Sequence, residues 1–442
     1  MNLTTGNIGK HLRTIAVPAS IGMIFSTLYN ITDTFFAGMY GPEALAALAV
    51  TFPLFFAILS IGAGLTQGTN ALISNNLGEK NTKKANFVAR QAIGIAVLLS
   101  IPLAIIGIAI APAAFRLLGL TETTIPIAIG YINIMFIGVG LFLLAFVTNS
   151  PLLARGDTKS IRNVFAIGFF LNIILNPLFM FTFGFGVPGI ALATITIYIF
   201  NATYYILKGR KAGVYAGATF KDFIPTKTVS KEIFVQALPA GMNMLTMAFG
   251  AIILTFFFGR FGEAALAAFS VAMRIDQIVI LPLVGLNMAV MSVVGQNNGA
   301  KKTARVRETY NVAIRYGLYV MTLGSVALFF GGSYALKLFT DDPQILSIGT
   351  YFIRIIALST WTHALLFVSQ SFFQGIKRPW ITFSVGASRM ILFPLILFPL
   401  ALFLFGTLES VIWTMFIINW IFALLFLTAA RIMLRRITHK ST

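Results

Sequence analysis

Long apolar segments follow one another along almost the whole chain. Twelve of them are long and apolar enough for an α-helix to cross a bilayer, which takes about 20 residues. The ten-residue alternating segments typical of an outer-membrane barrel do not appear. The pattern predicts an all-α integral membrane protein that spans the lipid bilayer with helices near 12–38, 44–74, 86–114, 124–150, 160–183, 187–207, 231–258, 264–294, 306–335, 344–373, 380–404 and 408–432.

Composition supports a membrane protein and excludes several kinds of chemistry. Only 10% of the 442 residues are charged, whereas a soluble protein carries about 25%. The mean hydropathy is +0.89. The chain has no cysteine, so disulfides, thiolate metal sites and cysteine nucleophiles are all excluded. No P-loop, His-Glu metal motif or nucleophile elbow is present, so the sequence predicts neither an enzyme nor a bound cofactor.

The net charge of +19 carries information about orientation. If the N-terminus is cytoplasmic, the inner segments hold 25 of the 32 Lys and Arg residues, and the outer loops hold three. This asymmetry obeys the positive-inside rule and predicts that both termini are cytoplasmic. We therefore interpret the basic excess as a topology signal, with no nucleic-acid partner, in a multi-pass protein of a bacterial or archaeal plasma membrane.

The chain repeats itself at half its length. A shift of 221 residues aligns the second half with the first without gaps from Ala16 to Thr82. Later matches drift by one or two residues, as for Tyr131 with Tyr351 and Gly156 with Gly375. Matched positions include Pro18 with Pro239, Gly38 with Gly259, Gly41 with Gly262, Asn76 with Asn297, and Lys80 with Lys301.

Each half contains six spans, so both halves enter the membrane in the same direction. Such parallel repeats are typical of transporters with two six-helix lobes, in which substrate binds between the lobes and access alternates between the two sides. The sequence thus predicts an N-lobe at 1–207, a basic inter-lobe linker at 208–230 and a C-lobe at 231–442.

Two carboxylates inside the spans are the first candidates for function. Of 13 acidic residues, only Asp33 and Asp276 lie well inside predicted helices, and the others lie in loops or at the ends of spans. A charge at this depth costs roughly 2.5–3.5 kcal/mol on insertion scales. In the repeat, Leu254 is the equivalent of Asp33 and Phe55 is the equivalent of Asp276. Neither acid therefore belongs to the architecture that the two halves share.

Polar residues in the first half are candidates to surround Asp33. Asn172 and Asn176 are four residues apart on one helix face, just before Pro177, which removes a backbone hydrogen bond. Asp33 at such a site is able to exchange a proton or an alkali cation for a cationic substrate. Each Asn or Thr alone equally suits interhelical hydrogen bonding. The predicted coupling site is Asp33, Asn172, Asn176 and Thr194, which is also the candidate Na⁺ site, and the predicted substrate pocket adds Tyr29, Asn30, Tyr131 and Asn149.

The second half has its own charged side chains. Arg274 and Asp276 are two residues apart and point to different sides of one helix, so a simple pair along the helix is excluded. His363 titrates in the physiological range, although a lone histidine in a bundle is often a hydrogen-bonded strut. A structural ion pair and a coupling role both remain open for the predicted C-lobe charge network of Arg274, Asp276, Arg354, Arg389 and His363.

Several segments together resemble the multidrug and toxic compound extrusion (MATE) family over essentially the whole chain, and most closely its prokaryotic branch named after the DNA-damage-inducible F protein. The resemblance implies twelve helices in two lobes and export of cationic drugs against inward H⁺ or Na⁺. It also implies that Asp33, Asn172 and Thr194 occupy the cation-site positions. The segments are Pro18-Ala19 with Asp33, ISNNLGEK at 73–80, RGDTK at 155–159, MRID at 273–276 and VGQNNGA at 294–300.

One residue departs from that branch, which usually has Asp where this chain has Asn176. A pocket with one carboxylate binds Na⁺ more weakly than one with two, so we expect H⁺ coupling, with Na⁺ as the alternative. The 43 Phe and 15 Met suit a cavity for flat organic cations, although most of them must face lipid or other helices. We expect a monomer.

Two other function classes stay open at this point. A flippase for a lipid-linked precursor shares the two-lobe design, but it needs a strongly cationic cavity, and the N-lobe candidates are neutral or acidic. A membrane-embedded enzyme or receptor needs clustered acids or ligand-binding soluble segments, and the sequence has neither.

Overall fold

A computed structural model describes residues 1–439, so the last three residues of the predicted C-lobe, 440–442, lie outside it. In the described part the chain is helical almost throughout. The elements are α1 (Ile8–Tyr40), α2 (Pro42–Gly78), α3 (Thr82–Leu117), α4 (Thr124–Ile137), α5 (Val139–Ala154), α6 (Lys159–Pro177), a π-helical segment (Leu178–Thr182), α7 (Pro188–Lys211), a 3-10 turn (Phe220–Phe223), α8 (Lys227–Gly259), α9 (Glu263–Gly299), α10 (Thr303–Lys337), α11 (Pro343–Gly375), α12 (Pro379–Ala387), a second π-helical segment (Ser388–Leu392), α13 (Phe393–Phe405) and α14 (Leu408–His439).

All twelve predicted spans are confirmed as helices. Eleven are long, apolar helical segments, and the twelfth is the pair α4 and α5, which bends by 46°. The bend falls at Gly138, between α4 and α5. Glycine is a poor helix former, because it has no side chain and its backbone is flexible. Two spans contain a π-helical segment, one after Pro177 and one around Arg389. Hydropathy located the spans and carries no signal for these local distortions.

The internal repeat is confirmed in the backbone. Helices α2 and α9 both contain 37 residues, and their ends are 221 residues apart. Each is followed by a lysine with positive φ, 60° at Lys80 and 56° at Lys301. The sequence match of Gly156 with Gly375 was wrong by two residues, because the backbone equivalent of Gly156 (φ 78°) is Lys377 (φ 62°). Here a shared glycine identified the equivalent position less well than a shared backbone conformation did.

The chain forms two compact units. The first contains Met1–Asn2 and Ile21–Gly241, and the second contains Leu3–Ser20 and Met242–Thr442. The limits of the units therefore fall inside α1 and α8, shortly after Pro18 and Pro239. The lobe boundaries predicted at 207 and 231 do not coincide with them.

Within the second unit, hydrogen bonds explain why the start of the chain belongs there. The Leu3 N–H donates to Gln296 Oε1 at 3.1 Å, and Asn297 Nδ2 donates to the Leu3 carbonyl at 3.1 Å. Ser20 Oγ donates to the Pro282 carbonyl of α9 at 3.3 Å. Gln296 and Asn297 of the VGQNNGA segment thus have a structural role, since they bind Leu3 near the N-terminus.

The predicted inter-lobe linker is attached to the first unit. Arg90 of α3 pairs with Asp222 at 3.1 Å and donates to the Val214 carbonyl at 3.0 Å. Gln91 is fully buried and accepts from the Thr226 N–H at 2.6 Å. Its amide also donates to the Asp222 and Ile224 carbonyls, at 2.8 and 2.7 Å. Residues 214–226 therefore follow a defined path over α3.

A close helix approach positions the polar residues of the first unit. A Cβ atom at Gly189, near the start of α7, would lie 2.8 Å from the backbone of Phe179 and Met180 in the π-helical segment. Only glycine permits this contact. It brings the end of α6, with Asn176, next to α7, with Thr194.

Candidate functional site

The first unit brings Asp33 together with the two asparagines of α6. Asn172 Nδ2 donates to Asp33 Oδ1 at 2.8 Å, and Asn176 Nδ2 donates to the same oxygen at 2.9 Å. Asn176 Nδ2 also lies 3.2 Å from Asn172 Oδ1. The four-residue spacing on α6 places both amides on one face, and that face meets α1 at Asp33.

The three side chains differ in burial. Asn172 and Asn176 are completely buried, whereas Asp33 is half-buried. Asn176 Oδ1 has no hydrogen-bond partner among residues 1–439. Since a buried amide oxygen without a partner is costly, this atom is a polar group available to a bound species.

A second hydrogen bond joins α1 to α7 next to this cluster. Tyr29, one turn before Asp33, donates from its hydroxyl to Thr194 Oγ1 at 2.8 Å. Tyr131 of α4 and Tyr198 of α7 also lie close enough for the Asp33 charge to act on their hydroxyl groups. Sequence reasoning missed Tyr198. Its position one helical turn after Thr194 was the signal that could have identified it.

The arrangement leaves Asp33 with one free oxygen. Two N–H donors occupy Oδ1 and stabilise the carboxylate in a membrane environment where an isolated charge is costly. The other oxygen, Oδ2, accepts no hydrogen bond from the described residues and is available for a proton or a cation. Among residues 1–439 no three His, Asp or Glu side chains gather into a metal-binding group.

Two residues of the predicted substrate pocket make no hydrogen bond to the Asp33 cluster within the described residues. Asn30 is exposed and donates to the Ser26 carbonyl of its own helix at 2.8 Å. Adjacent positions on a helix point about 100° apart, so Asn30 cannot share the direction of Tyr29. Asn149 of α5 is half-buried, and its buried Oδ1 makes no hydrogen bond within the described residues.

The second unit brings together only part of the predicted charge network. His363 Nε2 lies 4.0 Å from Asp276 Oδ2, and Arg389 is close enough for its charge to act on the imidazole. Arg389 Nη1 donates to Asn419 Oδ1 at 2.6 Å. Arg274 and Arg354 are exposed and make no ion pair with this group, so their place in the network stays a prediction. Arg354 instead lies 5.9 Å from the ring centroid of Phe329.

Comparison with known families gives a match over most of the chain. The family described as MatE matches residues 18–178 and again 239–400. The two matched ranges are one repeat length apart and correspond to the two halves.

Two characterised relatives and one solved structure show similarity over nearly the full length. The chain is 26% identical to a FAD transporter of Shewanella oneidensis over 88% of this chain and 87% of that protein. It is 25% identical to the multidrug export protein MepA of Staphylococcus aureus over 92% of this chain and 90% of that protein. A Pyrococcus furiosus transporter of the MOP superfamily, described as having a binding pocket of reverse polarity that suggests a different function, is 25% identical. It superposes with a TM-score of 0.92 over 99% of this chain and 98% of that one.

Proposed function

Because the chain belongs to the MatE family, whose members are transporters and not enzymes, we propose that it exports small organic cations in exchange for protons. The observation that carries the proposal is Asp33, a half-buried carboxylate with two amide donors on one oxygen and the other oxygen free. A single group that binds either a proton or a cationic substrate couples proton entry to substrate export, because binding of the proton releases the substrate and binding of the substrate releases the proton.

The proposed cycle follows from the charge of Asp33. When ionised, Asp33 attracts a cationic substrate, and the nearby Tyr29, Tyr131 and Tyr198 rings supply aromatic surface for a flat cation. Protonation of Oδ2 removes the attraction and releases the substrate. Alternating access between the two sides of the membrane then makes the exchange vectorial.

Na⁺ is the alternative coupling ion, with Asp33, Asn172, Asn176 and Thr194 as its ligands. The hydrogen bonds favour the proton, since both asparagine amides direct N–H groups at Asp33. Asn172 Oδ1 already accepts from Asn176 Nδ2, so it would have to give up that bond to bind Na⁺. Only one formal negative charge then balances the ion.

Orientation and assembly complete the proposal. We place both termini in the cytoplasm of a bacterial or archaeal plasma membrane, because 25 of 32 basic residues then lie on the inner side. The protein acts as a monomer, since one chain already contains both repeats.

The test is transport of a cationic dye such as ethidium in proteoliposomes, with a pH gradient and a Na⁺ gradient imposed separately. We expect the pH gradient alone to drive transport and Asp33→Asn to abolish it, because the amide mimics the protonated acid. Asp341→Asn is the matched control, since Asp341 is exposed and lies between α10 and α11. Transport that needs Na⁺ would assign the site to that ion. Full activity of Asp33→Asn would overturn the proposal.

FAD export is a second candidate, favoured by the Shewanella oneidensis relative. FAD carries a negatively charged pyrophosphate, which the Asp33 region would repel and which a basic group such as Arg389 suits better. Competition of FAD with the dye in the same proteoliposomes distinguishes the two substrates. A lipid-linked precursor flippase would respond to neither gradient.

A further inference from the structure

The second unit contains a buried acid–base pair outside the Asp33 site. Asp276 of α9 is only 4% exposed, and its Oδ2 lies 4.0 Å from His363 Nε2 of α11. Asp276 Oδ1 is buried without a hydrogen-bond partner in the described part of the chain. A packed interior normally pairs such atoms, so this pair is incompletely satisfied as it stands.

The internal repeat identifies what the first unit has at the same place. Thr66 Oγ1 donates to the Phe146 carbonyl at 2.9 Å, and Asn287 Nδ2 donates to the Phe367 carbonyl at 3.2 Å. Both donors and both acceptors are 221 residues apart. The contact between α2 and α5 therefore has the same register as the contact between α9 and α11.

In that register Asp276 corresponds to Phe55 and His363 to Phe142. The Phe55 and Phe142 rings are in contact, with centroids 5.5 Å apart and planes at 69°. One fold thus fills the same helix–helix contact with two aromatic rings in the first unit and with an acid and a base in the second. Packing does not require a titratable pair here.

The surroundings of His363 suit a ring that gains and loses a proton. Its Nδ1 is buried and makes no hydrogen bond within the described part of the chain. The charged groups that act on the ring are Asp276 from α9 and Arg389 from the second π-helical segment. Arg274 on α9, Arg315 on α10 and Arg354 on α11 are exposed and are not among the charged groups that act on the ring.

We propose that Asp276 and His363 form a second proton-binding site, in which the imidazole takes up the proton and the carboxylate is its counter-ion. In the protonated ring both nitrogens carry N–H groups, and Nε2–H faces the Asp276 carboxylate. Arg389, held by Asn419, opposes the added charge and keeps the proton exchangeable. This site binds a proton whatever substrate the protein exports.

The direct test is NMR titration of His363 in the purified protein in detergent micelles. The chain has three histidines, so replacing His11 and His439 by Gln leaves His363 as the only histidine signal. We expect this ring to titrate, and Asp276→Asn to weaken its proton affinity about tenfold or more, as loss of an opposite charge at this distance does. Asp33→Asn and Arg354→Gln are controls, and we expect neither to change the titration.

Two results would overturn the proposal: a His363 ring that stays neutral over the whole pH range in which the protein is folded, or an unchanged titration in Asp276→Asn. The double variant Asp276→Phe with His363→Phe copies the aromatic pair of the first unit, and we expect it to fold with near wild-type thermal stability. If the double variant unfolds, the pair has a packing role as well, and the titration of Asp276→Asn still decides whether it binds a proton.

Discussion

The amide of Asn176 donates to Asp33 Oδ1 at 2.9 Å from the last position before Pro177, where α6 continues as a π-helical segment. Asn176 therefore joins α6 to α1, and it lies next to the point where the α-helix changes to a π-helix. π-Helical segments occur frequently at functional sites. The identity of this residue determines how many negative charges the pocket carries, and its substitution separates proton coupling from Na⁺ coupling.

Asn176→Asp is expected to make transport respond to Na⁺. Two carboxylates at hydrogen-bond distance cannot both be ionised without a shared proton or cation. We expect a Na⁺ gradient to stimulate dye export by the variant at least about tenfold more than by the wild type, because the added carboxylate is expected to contribute about 1.4 kcal/mol to Na⁺ binding. The measurement is export from proteoliposomes at fixed pH.

The matched control for this variant is Asn149→Asp, which adds a carboxylate elsewhere in the first unit. It should leave the Na⁺ response unchanged, because Asn149 makes no hydrogen bond to Asp33 within the described residues. Equal Na⁺ stimulation of both variants would show that any added acid suffices and would remove the special role of Asn176.

Tyr29→Phe is expected to weaken the link between α1 and α7. The hydroxyl donates to Thr194 Oγ1 at 2.8 Å, and such a bond contributes about 0.5–1.5 kcal/mol. Thr194→Val removes the same bond from the other side. In a double-mutant cycle on thermal stability and on dye export, the double variant should lose little more than either single variant. Fully additive losses would mean that the bond contributes nothing.

Gly189→Ala is expected to destabilise the first unit. The added Cβ would approach the backbone of Phe179 and Met180 to 2.8 Å, and backbone cannot move aside as a flexible side chain can. Overpacking of this kind costs about 1–3 kcal/mol. Gly331→Ala is the control, since nothing lies within 4 Å of a Cβ at that helical glycine. The thermal unfolding temperature in detergent should fall for Gly189→Ala and stay unchanged for Gly331→Ala.

Gln91→Leu is expected to release the segment that follows α7. The variant would leave the Thr226 N–H and the Asp222 and Ile224 carbonyls without their side-chain partner, at a cost of about 1–3 kcal/mol. Limited proteolysis should then cut between residues 212 and 226 faster than in the wild type. Lys83→Ala, at an exposed position on the same helix, should not change the rate. Equal cutting rates in Gln91→Leu and wild type would show that the contacts of Arg90 and Asn86 hold the segment without Gln91.

Residue spacing predicted the centre of the candidate site. Asn172 and Asn176 were expected to share a face, and Asp33 was singled out as a charge at bilayer depth; the structure joins all three by hydrogen bonds. The role of this group in coupling stays a prediction. Tyr198 was missed, because its position one helical turn after Thr194 points to the site only once Thr194 is known to lie beside α1.

The sequence by itself determined the twelve helices and the repeat, because hydropathy and self-similarity are properties of the chain taken one segment at a time. Only the tertiary structure decided which side chains meet. It paired Asp276 with His363 and left Arg274 and Arg354 outside the group, and it attached the predicted linker to α3. These contacts depend on how each helix is rotated and on distances between segments far apart in the chain. The apolar pattern constrains both only weakly, because most faces of a membrane helix contact lipid or other helices and are apolar.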